Sequence, residues 1–523
     1  MARSRHFQRV LHLLQRAARA GADDESTHER PAAAAPADPG RRAWLSAGAG
    51  LGAGAVWPSG GARATTGLQV GVVGAGLAGL NAALALAREG ASPTVYEAGS
   101  RLGGRVWSLR DVFPEQVAER GAELIDLNHT LVRRLARQYG LEVERYGANR
   151  QPNDPVFHVL GSRWTEAEVL AEAAGFLAGV QADLAGLSQG PNAFAFNETD
   201  RRIDRMSISD YLSRQGAGPL LRAVLAPAFA AEYGRDIDQL SALVLLFALV
   251  GREPQDVFGP VQLHLVGGND ALPRSMAADL PTPPRLGHRL LQVARIASGR
   301  VRLSFATAGG TVQTVHDAVV LALPAALMRD VEFNASAGLT ASHRFAIEHF
   351  QVGSNSKQMV GFRGRPWLER HASNGTAYAD LDGLQANWET NPSEAAFYRR
   401  GVLTDFAGGR RAAQLDPARP QATAEAFLQS LETVYPGSAA LARRDNRGRV
   451  VSHIENWSKL PLFKGAYSCN APGYFTTLEG RYGLPAGNIV FAGEHTDSFY
   501  RFQGYMEGAL RSGARAARQL LGG

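Results

Sequence analysis

A single cysteine, Cys469, in 523 residues leaves no partner for an intramolecular disulfide and no thiolate cluster for a metal. The 13 histidines are scattered, without H-E-x-x-H or any comparable ligand spacing, so a metal centre is not indicated. No run of Lys and Arg interleaves with aromatic residues, and nucleic acid is therefore not an expected partner. The weakly apolar run near the N-terminus is too short and too rich in Gly to span a bilayer, so no stable membrane insertion is expected. No internal repeat is found.

At 523 residues the chain is too long for one hydrophobic core, and two domains are the default. Glycine is abundant, with 58 residues, which favours tight turns and close backbone approach. The net charge is +6. Much of that excess lies in the first 63 residues, which contain arginines but no lysine, leaving the remaining body roughly neutral. Arg41 and Arg42 precede a Gly/Ala-rich run that ends in Ala62-Arg63-Ala64, a small-x-small cleavage pattern. Residues 1–66 therefore resemble a twin-arginine export signal and linker, which implies passage through the twin-arginine export machinery and a periplasmic or secreted protein.

The stretch LQVGVVGAGLAGLNAALALAREG, Leu68 to Gly90, follows at once. Val70, Val72 and Val73 read as a short buried strand, and an Ala/Leu-rich helix comes after it. Between them Gly74-x-Gly76-x-x-Gly79 supplies a tight turn, a close approach to a pyrophosphate and close helix–strand packing. The helix N-terminus then faces phosphate. A second strand ends at Glu97, 18 residues past Gly79, where an acid holds a ribose hydroxyl. RLGGRVWS, Arg101 to Ser108, extends that surface with Gly103, Gly104 and Arg105.

Further segments fall in a fixed order: ERGAELID at 119–126, LVGGNDALPRSMAADL at 265–280, LLQVARIASGRVRLSF with DAVVLALPAALM, GSNSKQMVGFRGRPW at 353–367, WSKLPLFKGAYSCNAPG at 457–473, and FAGEHTDSFYRFQGYMEGALRSG from Phe491 to Gly513. Together with the glycine motif, the chain after Gly67 resembles the FAD-dependent flavin amine oxidases, which include monoamine, polyamine and L-amino acid oxidases. The resemblance implies an α/β fold: a Rossmann-like FAD-binding domain from 67–125, 262–335 and 485–523, interleaved with an α+β substrate-binding domain from 126–261 and 336–484 with a helical part.

The same resemblance implies roles. Gly74, Gly76 and Gly79 cradle the FAD pyrophosphate, Glu97 binds the adenosine ribose, and Gly103, Gly104 and Arg105 lie along the diphosphate. Val293 contacts adenine through its backbone, Glu494 binds the ribityl and phosphate region, and the helix starting near Met506 points at the flavin. A helix N-terminus there favours the negative charge of reduction. Tyr467 and Tyr505 match the two tyrosines that cage an amine, and Lys357 matches the lysine that holds a water at flavin N5; snorkelling of Lys357 to the surface is the competing reading. Ala466 stands where some relatives carry a flavin-linked cysteine, so non-covalent FAD is expected.

Two positions depart from or extend the pattern. Leu124 replaces the arginine that holds the substrate carboxylate in venom L-amino acid oxidases, leaving Arg110, Arg481 or Arg501 as substitutes. Asp126 matches an acid near the polyamine oxidase site, with helix capping as the competing role. The expected activity is oxidation of a small-molecule amine to an imine, with oxygen reduced to hydrogen peroxide. L-amino acid oxidation and transfer of electrons to a carrier are the alternatives, and a homodimer is compatible with the pattern.

Overall fold

The computed structural model describes residues 67–114, 116–146, 156–250, 262–393, 397 and 399–522; the export-signal reading of residues 1–66 lies outside the described residues. Strand β1 (Gln69–Val73) is buried over its last four residues, as a central parallel strand must be. It turns at Gly74, whose φ of +106° requires glycine, into helix α1 (Leu77–Arg88). Strand β2 (Ser92–Tyr96) flanks β1 on one side, and Ala318–Leu321 and then Ile489–Phe491 follow on the other, all parallel. A second sheet joins Arg289–Arg295, Val301–Thr307 and Gly310–His316 as an antiparallel meander, with Glu332–Phe333 on its edge. The C-terminal helix, Met506–Leu521, lies against α1, and the contact is close enough that a Cβ at Gly513 would sit 2.2 Å from the Ala78 carbonyl oxygen.

A seven-stranded sheet forms the other half, in the spatial order Ser452–Asn456, Asn355–Phe362, Gly401–Gly408, Leu384–Thr390, Ala377–Leu381, Val156–Val159 and Ser162–Trp164. Helices cover it, as the apolar spacing between 164 and 250 predicts. Ala242–Val250 is apolar all round, and its residues from Ala242 to Leu249 are correspondingly buried. Helix α2 (Thr130–Gln138) and strand Val143–Arg145, read from sequence as part of the substrate region, pack elsewhere. Val132, Leu135 and Ala136 share a core with Leu510 and Ala516, and Val143–Arg145 pairs with Gln262–Leu265. Helix α3 (Pro219–Tyr233) begins at a proline, which costs nothing at the first helical turn, and ends at the left-handed Gly234. Among the described residues no helix is long and apolar enough to cross a membrane, and no group of three or more His, Cys, Asp or Glu is placed to hold a metal.

Candidate functional site

A cavity of about 380 Å³ runs from the C-terminal ends of β1 and β2 to Tyr467 and Tyr505. Its first end is made of backbone. A Cβ at Gly79 would lie 1.9 Å from the Gly74 carbonyl oxygen, so only glycine lets α1 start this close to the turn. Gly76 is different: a Cβ there would meet nothing within 4 Å, because it would point into open space on the cavity side. Gly76 is also the N-cap of α1 and carries no side-chain cap, leaving the first amides of the helix to a ligand. Gly103 N–H donates to the Ala75 carbonyl at 2.9 Å, which brings the second glycine pair onto the first; a Cβ at Gly104 would sit 3.5 Å from the Gly76 Cα. The Glu97 carboxylate faces the cavity from the end of β2, fixed by the Ala75 amide at 2.9 Å and the Gly99 amide at 2.8 Å.

The middle of the cavity is organised by Glu494. Its oxygens accept from Arg105 Nη1 at 2.8 Å, Ser468 Oγ at 2.6 Å and the Gly504 amide at 2.8 Å. Burial opposes its ionisation, but the Arg105 guanidinium and the Ser468 hydroxyl outweigh burial and hold the carboxyl below the usual carboxylate range. Arg105 also donates to the Ala466 carbonyl at 2.6 Å, so one ion pair ties the glycine loop, the Tyr467 loop and the Gly504–Tyr505 turn together. Ser468 and Gly504 were not singled out from sequence. Their signal is only that they neighbour the two tyrosines.

At the far end Tyr467, Tyr505 and Met506 all line the cavity. Tyr505 is the N-cap of the C-terminal helix, which begins at Met506. The Tyr467 ring lies against Gly504, within 3.6 Å of where a Cβ would be, and its hydroxyl donates to the Glu232 carbonyl of α3. The Tyr505 ring stands edge-on to His129, with centroids 5.3 Å apart. Burial pushes the His129 imidazole down to about 3, so it is neutral beside the tyrosine.

Lys357 is 2% exposed, which removes the snorkelling alternative. It is not among the residues lining the cavity, but it bonds the carbonyl of Gly121, the chain neighbour of cavity-lining Ala122. Its ammonium donates to the Glu119 carbonyl at 2.9 Å, the Gly121 carbonyl at 2.9 Å and Glu123 Oε2 at 2.5 Å. An ammonium has three N–H groups, and all three are taken. The water-holding role expected for Lys357 is therefore not what this arrangement provides. Burial alone would raise the Glu123 pKa; Lys357, Trp388 Nε1 at 3.1 Å and Tyr146 Oη at 2.9 Å reverse that and hold it ionised. Glu123 is a residue the sequence reading missed, because its partners come from three distant segments.

Two expected ligands fall outside the cavity. Val293 lies in Arg289–Arg295 with no exposure, paired with Leu303, and its carbonyl accepts from the Asn334 amide at 3.1 Å. Leu290, three residues earlier, faces the cavity instead. Asp126 is buried beside Gln262, at 3.5 Å, and His129, at 3.6 Å, and it neither lines the cavity nor caps α2. The cap is Glu507 of the C-terminal helix, whose carboxylate accepts from the Leu131 and Val132 amides at 3.0 Å. The substitute arginines also face elsewhere. Arg110 holds Asp270 at 2.6 Å, Arg481 holds Ser342 at 2.7 Å, and Arg501 lines a separate cleft.

The residues present suit an adenine dinucleotide: an uncapped helix start, an open glycine cradle and an acid at the end of the second strand. Three comparisons bear on the site. A model of the family described as flavin containing amine oxidoreductase matches residues 77–521. An L-amino-acid oxidase of Mus musculus is 26% identical over 471 residues, covering 86% of this chain and 70% of that protein. One from Protobothrops flavoviridis is 24% identical over 477 residues, covering 86% and 88%. Among solved structures, cyclohexylamine oxidase from Brevibacterium oxydans IH-35A superposes with a TM-score of 0.72 at 21% identity, covering 87% of this chain and 99% of that one. Putrescine oxidase bound to putrescine gives 0.71 at 20%, covering 87% and 99%.

Proposed function

We propose a reaction from one premise: this chain belongs to the flavin-containing amine oxidoreductases and is an enzyme acting on CH–NH2 donors. Its substrate is a small primary or secondary amine, taken in neutral form between Tyr467 and Tyr505. The C–H next to nitrogen gives up a hydride equivalent, the imine formed is hydrolysed by water, and oxygen takes the two electrons to become hydrogen peroxide. FAD, when bound, supplies the two-electron acceptor. The protein holds it without a covalent bond, a reading supported by Ala466 in the loop and by Cys469, which is fully buried, with a thiol that burial pushes up to about 11.

The chain's own residues orient and tune. Gly74, Gly76 and Gly79 with Glu97 hold the nucleotide end. Glu494, kept ionised, locks Arg105 and the Gly504 turn, and the start of the C-terminal helix presents positive potential to the flavin. The observation that carries the amine reading is that Tyr467 and Tyr505 share one cavity in which Arg105 and Lys464 are engaged by carboxylates. Arg105 is paired with Glu494 and Lys464 with Asp330 at 2.6 Å. Leu124 offers no charge for a carboxylate.

Two other readings each have one observation in their favour. L-amino acid oxidation is favoured by the names of the two sequence relatives. Electron transfer to a carrier is favoured by the saturated Lys357 ammonium. An anaerobic stopped-flow screen of the FAD-loaded protein separates the first two, with monoamines, diamines, polyamines and L-amino acids as the panel and flavin bleaching as the signal. Bleaching by amines and not by their α-carboxylated counterparts is the expected result; bleaching only by amino acids would sink it. Admitting air then tests the carrier reading, which predicts slow recovery of colour. Export as a folded protein rests on Arg41-Arg42 and Ala62-Arg63-Ala64. Fractionation of cells expressing the R41K/R42K double variant checks it, with retention in the cytoplasm expected.

A further inference from the structure

On the face of the C-terminal helix away from the cavity lies a second cleft, about 530 Å³ in volume. Six arginines line it: Arg134 and Arg137 from α2, Arg501 from the preceding loop, and Arg511, Arg515 and Arg518 from the C-terminal helix. Arginine by itself is unremarkable here, because the whole chain has only three lysines among its 55 basic residues. What sets this cleft apart is that several arginines without a carboxylate partner line one hollow. Elsewhere many arginines meet a carboxylate, as Arg202 meets Asp183 at 2.5 Å, Arg300 meets Asp317 at 2.9 Å and Arg444 meets Glu425 at 2.7 Å, and those that do not, such as Arg163 and Arg344, come from separate elements. In the cleft, the side chains of Arg134, Arg137, Arg501 and Arg518 make no hydrogen bond or ion pair with any described residue.

The cleft's own acids offset this only in part, Asp497 acting across space on Arg501, Arg511 and Arg515. Glu507 is buried and spent on the α2 amides, with Arg511 Nη1 3.7 Å away. Asp497 is the carboxylate among the lining residues; one oxygen accepts the Ser498 amide at 3.0 Å, and the other is buried without a hydrogen-bond partner. Arg515 is spent on the carbonyls of Gly483, at 2.7 Å, and Phe491, at 3.0 Å. Four unpaired guanidinium groups from three chain segments therefore face one hollow. Like charges held this close repel, and each presents a fork of donors matched to a carboxylate or phosphoryl group. The volume exceeds what a single phosphate fills, and the donors approach from both sides.

We propose that this cleft binds a small polyanion bearing several phosphoryl or carboxylate groups, clamped between α2 and the C-terminal helix. The site is separate from the amine-oxidising cavity and stands whether or not the amine reading does.

Isothermal titration of the FAD-loaded full chain tests it, with inorganic tripolyphosphate in one series and citrate in another, both at an ionic strength held constant with sodium chloride. Saturable one-to-one binding of at least one of them is expected, and the tighter of the two tells phosphoryl from carboxylate chemistry. The R134E/R518E double variant, on two exposed side chains, is expected to weaken binding at least tenfold while the flavin spectrum stays as in the parent. R444E, which reverses a paired arginine elsewhere, is expected to leave binding unchanged. R134Q/R518Q replaces the double reversal if that variant misfolds. Heat that does not saturate with either anion, or equal affinity in the parent and the cleft variants, overturns the proposal.

Discussion

The two ends of the central cavity are built differently. The glycine end is local: Gly74, Gly76, Gly79 and Glu97 span 24 residues of one βαβ unit, and their work is done by backbone amides and by missing Cβ atoms. The tyrosine end is assembled. Tyr467 and Tyr505 lie far apart in sequence from Glu232, which accepts the Tyr467 hydroxyl, and from His129, which meets the Tyr505 ring. Lys357 and Glu123, which meet outside the cavity lining, are equally distant in sequence. The first end is therefore limited by volume, through the fold at Gly74 and Gly79 and through the space for a ligand at Gly76, whereas the second depends on burial and on partners, so changes there act through hydrogen bonds and charge.

The sharpest test of that contrast is Gly79→Val. The new side chain collides with the Gly74 carbonyl, and a loss of more than about 3 kcal/mol is expected, enough to remove soluble holoprotein. Urea unfolding and the flavin-to-protein absorbance ratio measure it. Next in size is Lys357→Met, which strands the Glu123 carboxylate in the interior. Breaking one partner of a buried pair costs about 3–5 kcal/mol, and the double variant with Glu123→Gln is expected to lose less. The same pair sets an acid limit. Glu123 titrates lower in the folded chain than in the unfolded one, so its contribution is fully present above about pH 4, the ordinary carboxyl value, and is lost as pH falls through the lower folded value. Unfolding of the parent as a function of pH is expected to show this acid loss, and Glu123→Gln to flatten it.

Gly76→Val separates shape for a ligand from shape for the fold. Its Cβ meets no protein atom within 4 Å, so the melting temperature of the flavin-free protein is expected to hold. Flavin affinity is expected to fall at least about tenfold, some 1.4 kcal/mol, by equilibrium dialysis. If both glycine variants fail in the same way, the distinction drawn above is wrong. At the tyrosine end, Tyr505→Leu is expected to lower kcat/KM about tenfold, mostly through KM, with flavin content unchanged. Tyr467→Phe is the mildest change. It leaves the Glu232 carbonyl without its donor and costs about 1 kcal/mol in a denaturant melt.

Legibility in the sequence followed the same division. The glycine motif and Glu97 could be read because spacing along one strand–turn–helix unit sets where those groups lie in space. Tyr467, Tyr505, Glu494 and Met506 came from a resemblance, and the fold brings all four to one cavity. Val293, expected to contact adenine through its backbone, lies outside the cavity, which Leu290 lines instead, because a strand's register is set by its partners and the motif does not encode it. Asp126, expected near the substrate with capping as the competing role, lines no part of the cavity and is buried beside Gln262 and His129; α2 is capped instead by Glu507, about 380 residues further along the chain, a partner that local cap logic cannot see.

The sequence by itself determined the dinucleotide turn, the alternation of strand and helix, the absence of an intramolecular disulfide and of a thiolate cluster, and the membership that the ordered motifs announce. All of these depend on neighbours within a few residues or on composition. Only the tertiary structure decided that Lys357 is saturated by Glu119, Gly121 and Glu123, that Glu494 locks three loops, and that four arginines of two helices and a loop face one hollow without a partner. The physical reason is that burial and charge pairing are properties of whichever groups meet across the fold, and no local pattern specifies who they are.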